Sequence, residues 1–317
     1  MSLPAEPAGP RPGSARPGLS ANAGAATAAA LFGASVVAVR VAVHDIPPLS
    51  LAVLRFGQAA VVLVGAVLLV APRLLRVQRR GLPLLVVLGV VLFSLFPVTF
   101  NAGLRWTEAS RGSLMLATMP LWSAWLARGV AGERLAGRQL AGVVVSVLGI
   151  ALAFLEPHGL HGGARALAGD GLLLITALLG ALYGVLARRA LARHPAVTVT
   201  TYAMLFGAIL LTPAALAEGL LPALGRLDGR LLALVVFLAV PGGALAFLLW
   251  TWALSRLTPT QVAVYVNLNP VVAALLGIWL LGERRSVAFA LGFAAVVAGV
   301  VLVNWPQPAA KDPGGST

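Results

Sequence analysis

The sequence predicts an all-α integral membrane protein of ten transmembrane helices in two inverted five-helix repeats. Three observations lead there: the composition, the spacing of the apolar runs, and a duplication. Hydrophobic residues make up 59% of the 317-residue chain and charged residues 10%; a soluble domain is about one-quarter charged. Mean hydropathy is +0.94. A helix needs about 20 apolar residues to cross a bilayer, and ten such runs follow one another with short connectors. Strand alternation is absent and Leu, Ala, Val and Gly dominate, which favours helices over a barrel.

Taken in order, residues 1–21, with Pro4, Pro7, Pro10, Pro12 and Pro17, read as a disordered cytoplasmic tail. They lack the charge order and cleavage pattern of a signal peptide, so the first span, 22–43, is expected to be retained. The second, 47–70, carries Arg55. The third, 82–103, holds Ser94, Pro97 and Asn101 on one face. The fourth, 111–131, contains Pro120, and the fifth, 138–155, contains Gly142-x-x-x-Ser146, small residues that let helices approach closely. The sixth, 167–187, repeats that device at Gly180-x-x-x-Gly184 and places Tyr183 on a face with Thr176. The seventh is 196–217, and the eighth, 230–253, carries Trp250 and Thr251 near its end. The ninth, 259–281, contains Pro270; the tenth, 286–304, carries Gly292 and Gly299, and 307–317 form a second cytoplasmic tail.

The duplication is explicit. Leu104–Leu152 returns without a gap as Leu254–Leu302, at an offset of 150, with eleven of 49 positions identical; roughly five are expected by chance in so apolar a chain. Pro120 and Pro270, Gly-Glu-Arg at 132–134 and 282–284, and the glycine pairs 142/149 and 292/299 all align. The first two spans of each half match more weakly, at offset 148. Two units result, 22–156 and 165–306, each with an odd number of spans. An odd count makes the second copy enter the membrane in the opposite orientation, the arrangement that recurs in secondary transporters.

Net charge is +13, which in a soluble protein would point to nucleic acid. Here the arginines flank the spans. With the N-terminus inside, the inner loops and tails hold fourteen Arg or Lys and the outer loops seven, predicting cytoplasmic termini in a plasma (inner) membrane. Cysteine is absent, so disulfides, thiol chemistry and Cys metal sites are excluded. His44, His158, His161 and His194 all fall in loops. No metal, cofactor or nucleic acid is expected, and no Gly-Lys-Ser/Thr phosphate loop is present.

These residues resemble a known family. Leu104-Arg-Trp-Thr, Met119-Pro120, Gly132-Glu133-Arg134 and Gly142 look like the fourth and fifth spans of EamA-like members of the drug/metabolite transporter superfamily. Asn269-Pro270-Val-Val-Ala-Ala-Leu-Leu-Gly with Gly282-Glu283-Arg284 looks like the ninth and tenth, and Leu54-Arg55-Phe56 after Pro47-Pro48 like the second. The resemblance covers about residues 25–305. It implies ten helices, two repeats, cytoplasmic termini, and a cavity lined by spans 3, 4, 8 and 9 with help from 1 and 6. Family members move small metabolites, often amino acids, commonly outward. Two departures stand out: Asn269 occupies a position often held by Glu, and Glu108 and Arg111 interrupt a start of the fourth span usually built of small residues.

Polar groups within spans are expected to face protein or a water-filled cavity. Gln261, Tyr265 and Asn269 recur at i, i+4 and i+8, one stripe of an ideal helix. The repeat converts that stripe into Arg111, Met115 and Met119, with Trp122 beyond. Asn101, Met115, Met119, Trp122, Tyr183, Trp250, Gln261, Tyr265 and Asn269 are therefore the expected solute contacts, with interhelical packing and hydrogen bonding as the competing role of each. Pro120 and Pro270 are read as helix kinks. Arg55, Glu133, Arg134, Glu283 and Arg284 are read as structural charges at span boundaries, Arg55 with a second role as a clamp for a substrate carboxylate. The function expected is a secondary transporter, exporting a small organic metabolite such as an amino acid or an aromatic or amphipathic solute by alternating access. Its partners are that solute and the lipid bilayer, and it would work as a monomer or a homodimer. The alternatives are a non-transporting membrane scaffold and an intramembrane lipid-modifying enzyme; the latter would need a carboxylate pair, a His cluster or an activated nucleophile.

Overall fold

The computed structural model describes residues 17–43, 45–104, 106, 115–131, 136–153, 164–281 and 287–305. Among them every regular element is helical. Helix α1 spans Pro17–Ala42 and α2 Pro48–Val70. Residues 17–21 thus belong to the first helix rather than to the tail; Ala21 is already buried against its neighbours. Helix α3 runs from Leu82–Gly89 through a π-helical turn, Val90–Leu95, into Phe96–Leu104. Helices α4 (Met119–Ala131), α5 (Gly137–Ala153), α6 (Ala164–Leu191) and α7 (Ala196–Glu218) follow. After a short turn of helix at Leu220–Leu224, α8 runs Gly229–Ala239, a second π-helical turn Val240–Leu245, and Ala246–Leu254. Helix α9 comprises Pro259–Ala263, a 3₁₀ turn Val264–Asn267 and Leu268–Leu281, and α10 is Val287–Asn304. Among the described residues six helices (α1, α2, α3, α6, α7 and α8) are long and apolar enough to cross a membrane.

The distribution of side chains is that of a protein dissolved in lipid. Leu69, Val70, Val61, Leu167, Leu148 and Ile209 are exposed, while Ser50, Ser146, Thr176, Thr200, Thr251 and Asn267 are buried. Exposed apolar surface costs nothing against acyl chains, whereas a polar group there lacks a partner.

Helix pairing is reciprocal between the halves. Helix α1 packs on α8 and α9, as α6 packs on α3 and α4; α3 meets α7 as α8 meets α2; and α2–α7, α4–α9 and α5–α10 pair with their own counterparts. The π-helical turns share the register, Val90–Leu95 recurring as Val240–Leu245 at the same offset of 150. The α5–α10 crossing is antiparallel and built on the aligned glycines. A Cβ on Gly142 would lie 2.8 Å from the Gly299 carbonyl oxygen, and one on Gly149 2.8 Å from that of Gly292. Only glycine admits backbones this close.

Charges gather at the two ends of the bundle. At one end the Thr198 and Tyr202 hydroxyls donate to the carbonyls of Leu74 and Leu75, and Arg188 donates to those of Leu254 and Leu257. This brings Arg73, Arg76, Arg189, Arg193 and Arg256 to one face. At the other end Glu218 Oε2 accepts from the N–H groups of Leu49 (2.7 Å) and Ser50 (3.0 Å), capping the start of α2. A carboxylate there satisfies two unpaired donors and meets the positive end of the helix dipole.

Candidate solute-binding centre

Six aromatic side chains from five helices meet in the middle of the bundle: Phe32, Phe56, Phe93, Tyr183, Phe247 and Trp250. Phe247 lies 4.7 Å from Phe32, 5.0 Å from Phe93 and 5.7 Å from Phe56 between ring centroids. Phe32 also meets Trp250, and Phe93 meets Tyr183, both edge-on. Tyr183 is fully buried and its hydroxyl shares a hydrogen bond with Thr251 Oγ1 at 3.1 Å. In a low-dielectric layer that pairing removes two polar groups that would otherwise be unsatisfied. Met119 and Tyr265 belong to the same buried cluster. The Met119 sulfur lies where a side chain on residue 180 would be, so Gly180 makes room for it.

The first half of α2, with α8, adds a cation. Arg55 is one residue before Phe56, and its Nη2 donates to the Gly242 carbonyl at 2.7 Å, within the second π-helical turn. Its Cζ lies 5.1 Å from the Phe56 ring centroid and 5.9 Å from that of Phe247. Arg55 thus sits two turns inside α2, on the aromatic layer, rather than at a span boundary.

The other expected residues separate. Gln261 and Thr258 form a capping box at the start of α9: Gln261 Oε1 accepts from the Thr258 N–H at 3.0 Å, and Thr258 Oγ1 accepts from the Gln261 N–H. Four residues of 3₁₀ helix then turn about 120° each instead of 100°, displacing Asn269 by about 80° from the stripe an unbroken α-helix would give. Gln261, Tyr265 and Asn269 therefore do not share one face. Tyr265 enters the core, while the Asn269 carbonyl oxygen packs over Gly33 of α1 and its Oδ1 is buried without a hydrogen-bond partner among the described residues. Asn101 Nδ2 donates to the Pro48 carbonyl at 3.4 Å, linking α3 to α2. Trp122 is half-buried, and its indole N–H donates to Thr118 Oγ1 at 3.2 Å; Met115, seven residues earlier, is also half-buried. Pro120 and Pro270 stand in the first turn of restarted helical segments, where the missing N–H is not needed. Glu133, Arg134, Glu283, Arg284, Glu108 and Arg111 lie outside the described residues.

Asn267 is a residue the sequence pattern passes over. The 3₁₀ turn buries it completely, and its Nδ2 donates to Ser146 Oγ of α5 at 2.7 Å. Two recesses open at opposite ends of α8, away from the rings. One, of about 410 Å³, is lined by Asp45, Arg226, Asp228, Arg230 and Leu231. The other, of about 430 Å³, includes Arg193, His194, Trp252, Ser255 and Arg256.

The model of the EamA-like transporter family matches the chain twice, over residues 19–155 and 167–305. The chain belongs to the EamA-like transporter family. This EamA chain is 30% identical, over 64% of its length and 70% of the relative's, to an uncharacterized transporter of Archaeoglobus fulgidus. It is 29% identical, over 67% of its length and 69% of the relative's, to a "Probable terminal-alkyne amino-acid exporter" of Streptantibioticus cattleyicolor. A solved crystal structure matches at a TM-score of 0.76 and 22% identity, covering 90% of this chain and 96% of the other, a likeness of fold. The family and its relatives are transporters, so the EamA chain is a multi-pass membrane transporter and not an enzyme.

Proposed function

We propose that the chain is a ten-span secondary transporter of the plasma (inner) membrane, with both termini cytoplasmic and repeats 22–156 and 165–306 inverted. It exports a small organic metabolite, an amino acid or an aromatic or amphipathic solute, by alternating access. The observation that carries this reading is the antiparallel, glycine-to-glycine crossing of α5 and α10 at positions equivalent in the two repeats. Two equivalent helices related this way run in opposite directions through the bilayer, as alternating-access machines built from inverted repeats do. The arginine-rich end, with Arg73, Arg76, Arg193 and Arg256, fits the cytoplasmic side. The aromatic layer between the two end recesses fits an occluded centre, with Met119, Tyr183, Trp250 and Tyr265 as its solute contacts. The name of the Streptantibioticus relative supports an amino acid as cargo.

The test is flux. The full chain is purified, reconstituted in liposomes preloaded with labelled amino acids and related metabolites, and efflux is compared with empty liposomes. At least one solute should leave faster through the protein, and Trp250→Ala should slow it by tenfold or more. No flux for any solute, together with a stable complex with another membrane protein, would replace the transporter reading with a scaffold.

A further inference from the structure

We infer that Arg55 is a carboxylate-binding subsite, and that the cargo is an acid carrying an apolar or aromatic side chain. This inference rests on the transporter reading and specifies its cargo. A guanidinium offers five N–H donors in a planar fork. In Arg55 the Nη2 bond to Gly242 is the one hydrogen bond found among the described residues, and Nε is buried with no partner. No described carboxylate pairs with Arg55: Glu218 caps α2 and Asp228 caps α8, both at helix ends. The carbonyl of Gly242 orients the fork but carries no net charge to balance it.

A cation inside a membrane span is expensive, and residues kept there pair with another charge or mark a solute path. The surroundings of Arg55 show what completes the pair. The Phe56 and Phe247 rings stand beside the guanidinium, and its Nε is buried with no hydrogen-bond partner among the described residues. Arginine binds a carboxylate through two parallel N–H···O bonds in the guanidinium plane. Phe247 continues into Phe32, and Phe32 into Trp250, so an apolar group attached to the carboxylate would lie against rings. A charged head at Arg55 and an apolar tail on the aromatic layer describe a hydrophobic amino acid or an aryl carboxylic acid.

The experiment separates charge from shape with three probes of one skeleton: phenylalanine, 3-phenylpropionate and phenethylamine. Binding to the purified full chain in detergent is measured by isothermal titration, and efflux from liposomes is measured in parallel. Phenylalanine and 3-phenylpropionate should bind and exchange; phenethylamine, lacking the carboxylate, should bind at least tenfold more weakly. Arg55→Met should remove the preference. Arg55→Lys keeps the cation and loses the fork, and should weaken carboxylate binding about tenfold while leaving the size-exclusion profile unchanged. The Lys variant keeps the test decisive if the Met variant does not fold. Equal affinity for the amine, carboxylate binding unchanged in Arg55→Lys, or no binding of either carboxylate by the native chain overturns the assignment. Flux of an uncharged or cationic solute alongside any of those results would leave the transporter reading standing without it.

Discussion

A methyl group added at Gly299 tests the α5–α10 crossing directly. The Cβ of Gly299→Ala would lie 2.5 Å from the Gly142 carbonyl oxygen, 2.6 Å from Ser146 Cβ and 2.7 Å from Ser146 N. Carbon needs about 3.5 Å or more from other heavy atoms, so the helices must separate by nearly 1 Å. Overpacking of this kind costs about 1–3 kcal/mol. The separation also stretches the 2.7 Å Asn267–Ser146 hydrogen bond, whose loss costs about 1 kcal/mol more. Against this, Ala favours a helix over Gly by up to about 1 kcal/mol. Gly65→Ala in α2 supplies the control, because nothing lies within 4 Å of a Cβ there and only the propensity gain remains. The difference between the two variants should therefore be about 2–4 kcal/mol. Denaturant titration in mixed micelles, followed by the fluorescence of the seven tryptophans, measures it. If Gly299→Ala is as stable as Gly65→Ala, the close antiparallel contact does not exist.

Three further outcomes follow from single contacts. Glu218→Gln weakens the cap on Leu49 and Ser50 and should cost about 1 kcal/mol in the same titration. Ser146→Ala leaves the fully buried Asn267 amide without its acceptor and should cost about 1–3 kcal/mol, whereas Ser123→Ala, whose hydroxyl has no partner among the described residues, should be neutral or stabilising. A double-mutant cycle of Tyr183→Phe and Thr251→Val should return a coupling of about 0.5–1.5 kcal/mol; additive single effects would show that the two hydroxyls do not interact.

The membrane class and the duplication were legible because they depend on counts and spacing. Long apolar runs dictate helices wherever water is missing, and the matched Gly142, Gly149, Gly292 and Gly299 already mark a special interface. Which glycine opposes which could not be read from either copy alone, since that depends on the crossing of two distant helices. The ninth span shows the limit of periodicity. Its polar stripe assumes 100° per residue, and the 3₁₀ turn Val264–Asn267 breaks that assumption just before Asn269. The signal for Gln261 was present in the order Thr258-Pro-Thr-Gln261, the capping-box spacing, and it outweighs the stripe as a guide to that side chain. Three phenylalanines of the aromatic layer carried no signal: Phe32, Phe93 and Phe247 each stand among other apolar residues, and only packing distinguishes them. Arg55 was visible as a charge within a span, but its partner, a backbone carbonyl on α8, leaves no trace in side-chain chemistry.

The wide turns of α3 and α8 also belong to the duplication. A π-helical turn holds one residue more than the α-helical turn it replaces. Both copies place it at the same position: the offset is 150 at the turns, Val90 against Val240, and still 150 at Gly149 against Gly299. The wide turn is thus a feature the two halves hold in common although most of their side chains differ.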